Sequence, residues 1–219
     1  MLNVAGIELL PPLATFLAFV VAGLALNIVP GADMTFVIAS AARGGRRDGL
    51  VAALGIGGGT LVHILAATLG LSALLAASQL AFTAIKWVGA AYLVYIAISL
   101  IRSRRRTESE SRPRAHLTGF RLFRAAALVN VLNPKVALFF LAFLPQFIDR
   151  NAQVPALQIL ALGLWFDFAG TLVNCIVAFV AADTAARLRH VSWLSTAARW
   201  VAATAMGALA VRLALADRR

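Results

Sequence analysis

Six long apolar stretches dominate this chain of 219 residues. They cover roughly residues 11–41, 49–77, 80–101, 122–144, 156–182 and 194–216. Each one reaches the ~20 residues that a helix needs to cross the hydrocarbon core of a bilayer. Apolar residues make up 61% of the chain, whereas a soluble domain has about 45–50%. We therefore predict an all-α membrane protein with about six transmembrane helices.

Basic residues lie between the apolar stretches, not along them. The formal net charge is +11, and eight of the twenty Lys and Arg residues fall within 102–124. A nucleic-acid-binding protein would carry such residues on a folded soluble surface, so no nucleic-acid partner is expected. The positive-inside bias instead places the 102–124 loop in the cytoplasm. The same bias puts both termini outside, although the basic C-terminus opposes this.

The charged segment 103–119 reads as a linker that divides the apolar stretches three and three. We predict a first three-helix repeat at 1–102, a basic cytoplasmic linker at 103–119 and a second three-helix repeat at 120–219. After three crossings the second half starts from the opposite side, so any repeat is inverted. The oligomeric state stays open, and a homo-oligomer is compatible with the sequence.

A proline motif interrupts the first apolar stretch of each half. About thirty uninterrupted helical residues would span ~45 Å, which exceeds a core of ~30 Å. Pro30 and Gly31 therefore predict a helix break, and Pro134 predicts a second one in the corresponding stretch. Broken helices expose backbone groups that suit a carboxylate and an ammonium group. The alternative is a simple proline kink that only aids packing.

Polar residues cluster around both proline motifs and give the candidate substrate-binding site. Asn amides both donate and accept hydrogen bonds, which suits a zwitterion. Lys135 would bind a substrate carboxylate or a carboxylate of the other half, or alternatively snorkel to the interface. The candidate substrate-binding residues are Asn27, Pro30, Gly31, Asp33, Asn130, Asn133, Pro134 and Lys135.

Three titratable residues within the apolar stretches are candidates for proton coupling: Asp33, His63 and Asp167. Ionisable groups in a span are costly unless they are paired or hydrated, so they mark functional sites. Asp33 would alternatively form a structural ion pair with Arg43. His63 would relay a proton or be a neutral, hydrogen-bonded histidine. Asp167 lies on a polar stripe with Asn174, and its alternative role is a structural partner of Lys135 or His63.

The sequence excludes several other activities. The lone Cys175 cannot form an intramolecular disulfide, which argues against a membrane thiol-electron carrier. No phosphate-binding loop, nucleophile–base arrangement or metal-ligand spacing is found. We therefore predict a protein that is not an enzyme and that uses neither cofactor nor metal. Its partners would be the lipid bilayer and a small-molecule substrate.

Several motifs resemble those of the lysine exporter (LysE/RhtB-type) superfamily, especially its threonine and homoserine efflux branch. The resemblance covers about residues 27–213. The motifs that carry it are Pro30-Gly31-Ala32-Asp33, Ala42 to Gly49, Ala53-Leu54-Gly55-Ile56 with His63, Lys86 to Leu93, Leu132-Asn133-Pro134-Lys135 and Phe139 to Phe147. The resemblance implies a six-helix inner-membrane carrier with inverted halves that exports amino acids in exchange for protons.

The chain departs from the family pattern at two places. Ala32 and Asp33 replace the usual Pro and Asn after Pro-Gly, and Gly59 replaces an acid often found four residues before the histidine. Both changes bear on the substrate and the proton site, so the resemblance does not select a particular amino acid. A membrane-embedded assembly or tolerance factor without transport activity remains the alternative function.

Overall fold

The computed structural model describes residues 3–4, 7–71, 87, 98, 117–149 and 152–184. The predicted sixth apolar stretch, the third except residues 87 and 98, and nearly all of the basic linker lie outside the described residues. The described part contains the first predicted stretch, the second up to residue 71, and the fourth and fifth. It therefore includes both proline motifs and all of the candidate site residues.

The described chain is helical apart from a small hairpin at its start. In that hairpin, β1 (Asn3–Val4) pairs antiparallel with β2 (Ile7–Glu8). The α-helices are α1 (Leu13–Ile28), α2 (Ala32–Ala66), α3 (Gly119–Val131), α4 (Pro134–Leu138) and α5 (Pro155–Thr184). The π-helical turns Ala67–Leu71 and Phe139–Phe143 extend α2 and α4, and the 3₁₀ turn Leu144–Phe147 follows the second of these.

Two helices among the described residues are long and apolar enough to cross a membrane, namely Ala32–Gly70 and Pro155–Asp183. A third crossing results if Gly119–Val131 and Pro134–Phe147, which are bent by 49°, form one span. The segment Ala32–Gly70 has 39 residues and would be ~58 Å long if it were straight, twice the ~30 Å of a bilayer core. It is therefore too long for a single crossing.

Gly45 reverses the chain within α2. Its φ of 70° and ψ of −166° are not helical, and a positive φ is a conformation that glycine adopts at little cost. A Cβ atom on Gly49 would lie 2.8 Å from Cβ of Ala41, although eight residues of straight helix would separate them by ~12 Å. Residues 32–44 and 46–66 thus form a helical hairpin. The turn coincides with the predicted first connection.

Both predicted helix breaks are present. Helix α1 ends at Ile28 and α2 begins at Ala32, so Val29, Pro30 and Gly31 lie outside helical structure. Helix α3 ends at Val131, and α4 begins at Pro134 with Asn133 as its N-cap. We refer to residues 29–31 as the first break and residues 132–133 as the second break.

The helices pack around two apolar clusters of different character. An aromatic cluster joins α1 to the chain after the second break and to α5, and its rings include Phe19, Phe139 and Phe166. The rings of Phe139 and Phe166 stack with centroids 4.2 Å apart. The second cluster consists largely of alanines from α2, α3 and α5. Small side chains let these helices approach closely, as is common in membrane bundles.

Candidate functional site

The two breaks meet at a buried hydrogen bond. The Asn130 amide, in the last turn of α3, donates to Oδ2 of Asp33 in the first turn of α2 over 2.9 Å. Asn130 is 1% exposed and Asp33 is 9% exposed. A negative charge in the first turn also interacts favourably with the helix dipole. Asp33 therefore pairs with the other break and not, in this structure, with Arg43.

Lys135 forms the second connection between the breaks. Its Nζ donates to the carbonyl oxygens of Leu26 and Val29, at 3.1 Å each. These carbonyls belong to the end of α1, where helix termination leaves acceptors without intrahelical partners. Lys135, which lies in α4, therefore caps the C-terminal end of α1. Its ammonium group binds these backbone carbonyls.

Asn130 and His63 complete a polar network beside this contact. The Nε2 of His63 lies 3.1 Å from the backbone carbonyl oxygen of Asn130, and since a carbonyl only accepts, the tautomer with a proton on Nε2 is the one that donates this hydrogen bond. The Asn130 side-chain oxygen lies 3.4 Å from the hydroxyl of Thr60. Thr60 was not identified in the sequence analysis. The available signal is that it precedes His63 by three residues and so shares its helix face.

Asp167 approaches the same region from α5. The hydroxyl of Thr171, one turn later, lies 3.5 Å from Oδ1 of Asp167. Asn27, near the end of α1, donates to the backbone carbonyl of Phe166 at 3.3 Å. The polar stripe predicted on α5 thus faces the end of α1. Within the described part of the chain, Asp167 bonds to neither Lys135 nor His63.

A small polar cavity lies between the first break and this stripe. Its volume is about 20 Å³, enough for one water-sized group. Both acids, Asp33 and Asp167, line it, and the Oδ1 atom of Asp33 has no hydrogen-bond partner among the described residues. The remaining lining residues are Asn27, Ile56, Thr60, Asn130, Val136, Phe166, Gly170, Thr171 and Asn174.

The remaining predicted residues shape the second break. The Asn133 side chain accepts a hydrogen bond from the backbone N–H of Lys135 at 3.0 Å, which caps α4. Its side-chain nitrogen is buried without a partner among the described residues. Pro134 is the first residue of α4, where its missing N–H costs nothing. Pro30 and Gly31 form the first break, and Gly31 packs against the Lys135 side chain.

Glycines on α2 set the close approach of the helices around the site. A Cβ on Gly59 would lie 2.6 Å from the carbonyl oxygen of Ala127 in α3. A Cβ on Gly57 would lie 2.6 Å from the hydroxyl of Thr171 in α5. Gly59 occupies the position of the acid that is common in the resembled family. The structure explains this departure, because no side chain fits there against α3.

The chain is similar to a family of translocators and to several membrane proteins. A family model described as LysE type translocator matches residues 24–217. An uncharacterized membrane protein of Pseudomonas aeruginosa is 31% identical over 179 residues, which cover 80% of this chain and 83% of that protein. An uncharacterized membrane protein of Bacillus subtilis is 32% identical, over 73% of this chain and 83% of its own length.

A relative with a named activity is found in Salmonella typhimurium. It is a homoserine/homoserine lactone efflux protein that is 33% identical over 148 residues, covering 67% of this chain and 70% of that protein. No solved structure matches the chain.

Proposed function

Because this chain belongs to the LysE type translocator family, we propose that it exports an amino acid or amino-acid derivative across the bacterial inner membrane in exchange for protons. Membership makes the protein a membrane transporter and not an enzyme. The Salmonella relatives are named for the efflux of homoserine and its lactone. A small, neutral amino acid or its derivative is the substrate class that these names suggest for this chain.

The observation that carries the proposal is the contact between the two breaks. In transporters with discontinuous helices, half-helix ends near the middle of the membrane bind substrate and coupling ions. Here the start of α2 and the end of α3 meet through Asp33 and Asn130, and Lys135 caps the end of α1. Polar groups whose chemistry suits a carboxylate and an ammonium group thus lie at one place.

The two acids that line one cavity support the proposed exchange of substrate for protons. A carboxylate within a membrane is costly unless a proton or a positive group compensates it. We propose that Asp33 binds the substrate ammonium group while Asp167 binds and releases the exchanged proton, because a positive group or a proton compensates each carboxylate. His63 lies one hydrogen bond from the end of α3 and would pass protons to this site.

Transport requires the breaks to separate. The cavity of about 20 Å³ holds a water-sized group but not an amino acid, which has several times more heavy atoms than water. We propose that substrate replaces the contacts of Asn130 with Asp33 and of Lys135 with the α1 carbonyls. The substrate carboxylate would then accept from Lys135 and Asn130, while its ammonium group binds Asp33.

The architecture proposed for this mechanism has six transmembrane helices in two inverted three-helix halves, residues 1–102 and 120–219, joined by the linker 103–119. The basic connections would face the cytoplasm, in accordance with the positive-inside bias. Alternating access would then be a movement of one half relative to the other, centred on the two breaks.

Counterflow in proteoliposomes tests the proposal. Labelled homoserine, threonine, leucine and lysine are compared with and without an imposed pH gradient, using the native chain and Asp167→Asn. The matched control is Asp149→Asn, since Asp149 is an acid that does not line the cavity. We expect saturable flux of a neutral amino acid that a pH gradient accelerates in the native chain and the control.

In Asp167→Asn, exchange of substrate for substrate should persist, while the acceleration by the pH gradient is lost. If the flux through the native chain were the same with and without the pH gradient, proton exchange would be rejected. Absence of flux for all four amino acids would reject the substrate class and favour a role without transport.

A further inference from the structure

A second, much larger cavity lies between residues 32–44 of α2 and α3. Its volume is about 690 Å³. On the α2 side its wall includes Thr35, Ala39 and Arg43, which recur every four residues and so share one helix face. On the α3 side it includes Leu122, Ala125 and Leu132. The cavity is therefore a groove that follows two helices for most of their lengths.

The length of this groove matches one leaflet of a bilayer. From Ala32 to Arg43 the helix advances by eleven residues, or ~17 Å. Half of a hydrocarbon core of ~30 Å is ~15 Å. A methylene group occupies about as much room as a water molecule in the liquid, ~30 Å³. A volume of about 690 Å³ is equal to roughly 23 such groups, which leaves room for at least one lipid acyl chain.

The chemistry of the groove is apolar along its walls and basic at one end. Leu128 of α3 and Leu132 of the second break line it and are 56% and 70% exposed. Arg43 lies at the end next to the chain reversal at Gly45 and is exposed. Among the described residues it has no ion-pair partner, whereas Arg46 is bound to Asp183.

One acidic residue also lines the groove near Arg43. Asp48 is 6% exposed, and its carboxylate packs directly against Gly44. Because that carboxylate is buried against the turn, the exposed charge at this end of the groove is the guanidinium of Arg43. An arginine presents a fork of donors that matches a phosphate group.

We propose that this groove binds an anionic phospholipid from the leaflet that borders the basic turn, with one acyl chain between α2 and α3 and its phosphate on Arg43. Basic pockets between transmembrane helices are a recurring form of lipid recognition. The site is separate from the cavity between the breaks, because no described residue lines both cavities. The inference depends on membrane insertion but not on the proposed substrate.

Native mass spectrometry of the detergent-solubilised full chain tests this site. The protein is titrated with dioleoylphosphatidylglycerol and, separately, with dioleoylphosphatidylcholine, and the dissociation constant of the first bound lipid is measured. One basic residue near a phosphate contributes about a fivefold preference for the anionic lipid. We expect Arg43→Gln to abolish this preference and Arg43→Lys to retain most of it.

Two further variants separate a specific site from general attraction. Arg47→Gln is the matched control, since Arg47 is exposed in the same turn but does not line the groove. It should keep the preference. Ala125→Phe should fill the groove and weaken the binding of both lipids. All variants are compared at equal monodispersity.

Three results would overturn the proposal. If Arg43→Gln and Arg47→Gln reduced the preference for the anionic lipid equally, lipid binding would depend only on the overall charge of the protein. Undiminished lipid binding in Ala125→Phe would place the lipid elsewhere. Displacement of the bound lipid by excess homoserine would make the groove part of a substrate path. None of these results depends on a transport measurement, so failure of this site and failure of the proposed function are distinguishable.

Discussion

The Asn130 amide donates a hydrogen bond to Asp33 over 2.9 Å, although the two residues are 97 positions apart in the sequence. This contact joins the end of α3 to the start of α2 at the point where both interrupted helices meet. Asn130 also accepts from Thr60 through its side-chain oxygen and from His63 through its backbone carbonyl. One asparagine thus connects the two breaks with the middle of α2.

Replacing Asn130 should destabilise the fold as well as impair transport. In Asn130→Ala, both oxygens of the buried Asp33 carboxylate would be without a side-chain donor among the described residues. A buried polar group that loses its partner costs about 1–3 kcal/mol. We expect a clearly lower unfolding midpoint in detergent. Leu128→Ala, an exposed position one half-turn earlier, is the control and should be nearly neutral.

Lys135 should be needed for the ordered end of α1. In Lys135→Met, the Leu26 and Val29 carbonyls lose their donor, at a cost of about 1–3 kcal/mol. Lys135→Gln keeps a shorter donor and should be intermediate. Hydrogen exchange of the amides at the end of α1 measures the effect and should be faster in Lys135→Met. Unchanged exchange together with lost transport would instead mean that Lys135 acts only on substrate.

The helix breaks could be predicted because they depend on local chemistry. Pro30 and Pro134 fix the local φ angle and remove a backbone N–H group in any tertiary context. The length of the first apolar stretch also requires an interruption. The reversal at Gly45 likewise falls within a short charged connection between two apolar stretches. For these features the sequence pattern and the bilayer thickness are sufficient.

The partners of the polar residues could not be predicted in the same way. Every residue carries a backbone carbonyl, so nothing in the sequence selects those of Leu26 and Val29 as acceptors for Lys135. Thr60 reads as an ordinary helix residue until α3 is packed against it. The inverted halves also stay a prediction, because the sixth apolar stretch and nearly all of the third lie outside the described residues.

Gly59 should tolerate no side chain. A Cβ there would lie 2.6 Å from the Ala127 carbonyl oxygen and 2.7 Å from Cβ of Asn130, so Gly59→Ala forces α2 and α3 apart. Overpacking of this kind typically costs about 1–3 kcal/mol. The control is Gly70→Ala, where no described atom lies within 4 Å of the new Cβ. The unfolding midpoint should fall only for Gly59→Ala, and equal midpoints would contradict the close helix contact.

The ion pair between Arg46 and Asp183 should contribute little. Arg46 donates to both carboxylate oxygens, at 2.9 and 2.5 Å, and connects the turn at Gly45 to the end of α5. The side chains are 58% and 55% exposed, so solvent and salt screen their attraction. Arg46→Gln and Asp183→Asn should each lower the unfolding midpoint less than Gly59→Ala. The double variant should lower the unfolding midpoint no further than either single variant does. A decrease equal to the sum of the two single decreases would show that the two residues act separately.

The reversal at Gly45 makes a topological prediction. The aromatic cluster places Phe19 of α1 with Ile64 and Ala67, which follow the reversal by about twenty residues. Residues 13 and 69 should therefore lie on one side of the membrane and residue 47 on the other. In a Cys175→Ala background, membrane-impermeant thiol reagents should label Leu13→Cys and Leu69→Cys from the same side and Arg47→Cys only from the opposite side. Labelling of Arg47→Cys and Leu69→Cys from one side would mean that α2 does not return across the membrane.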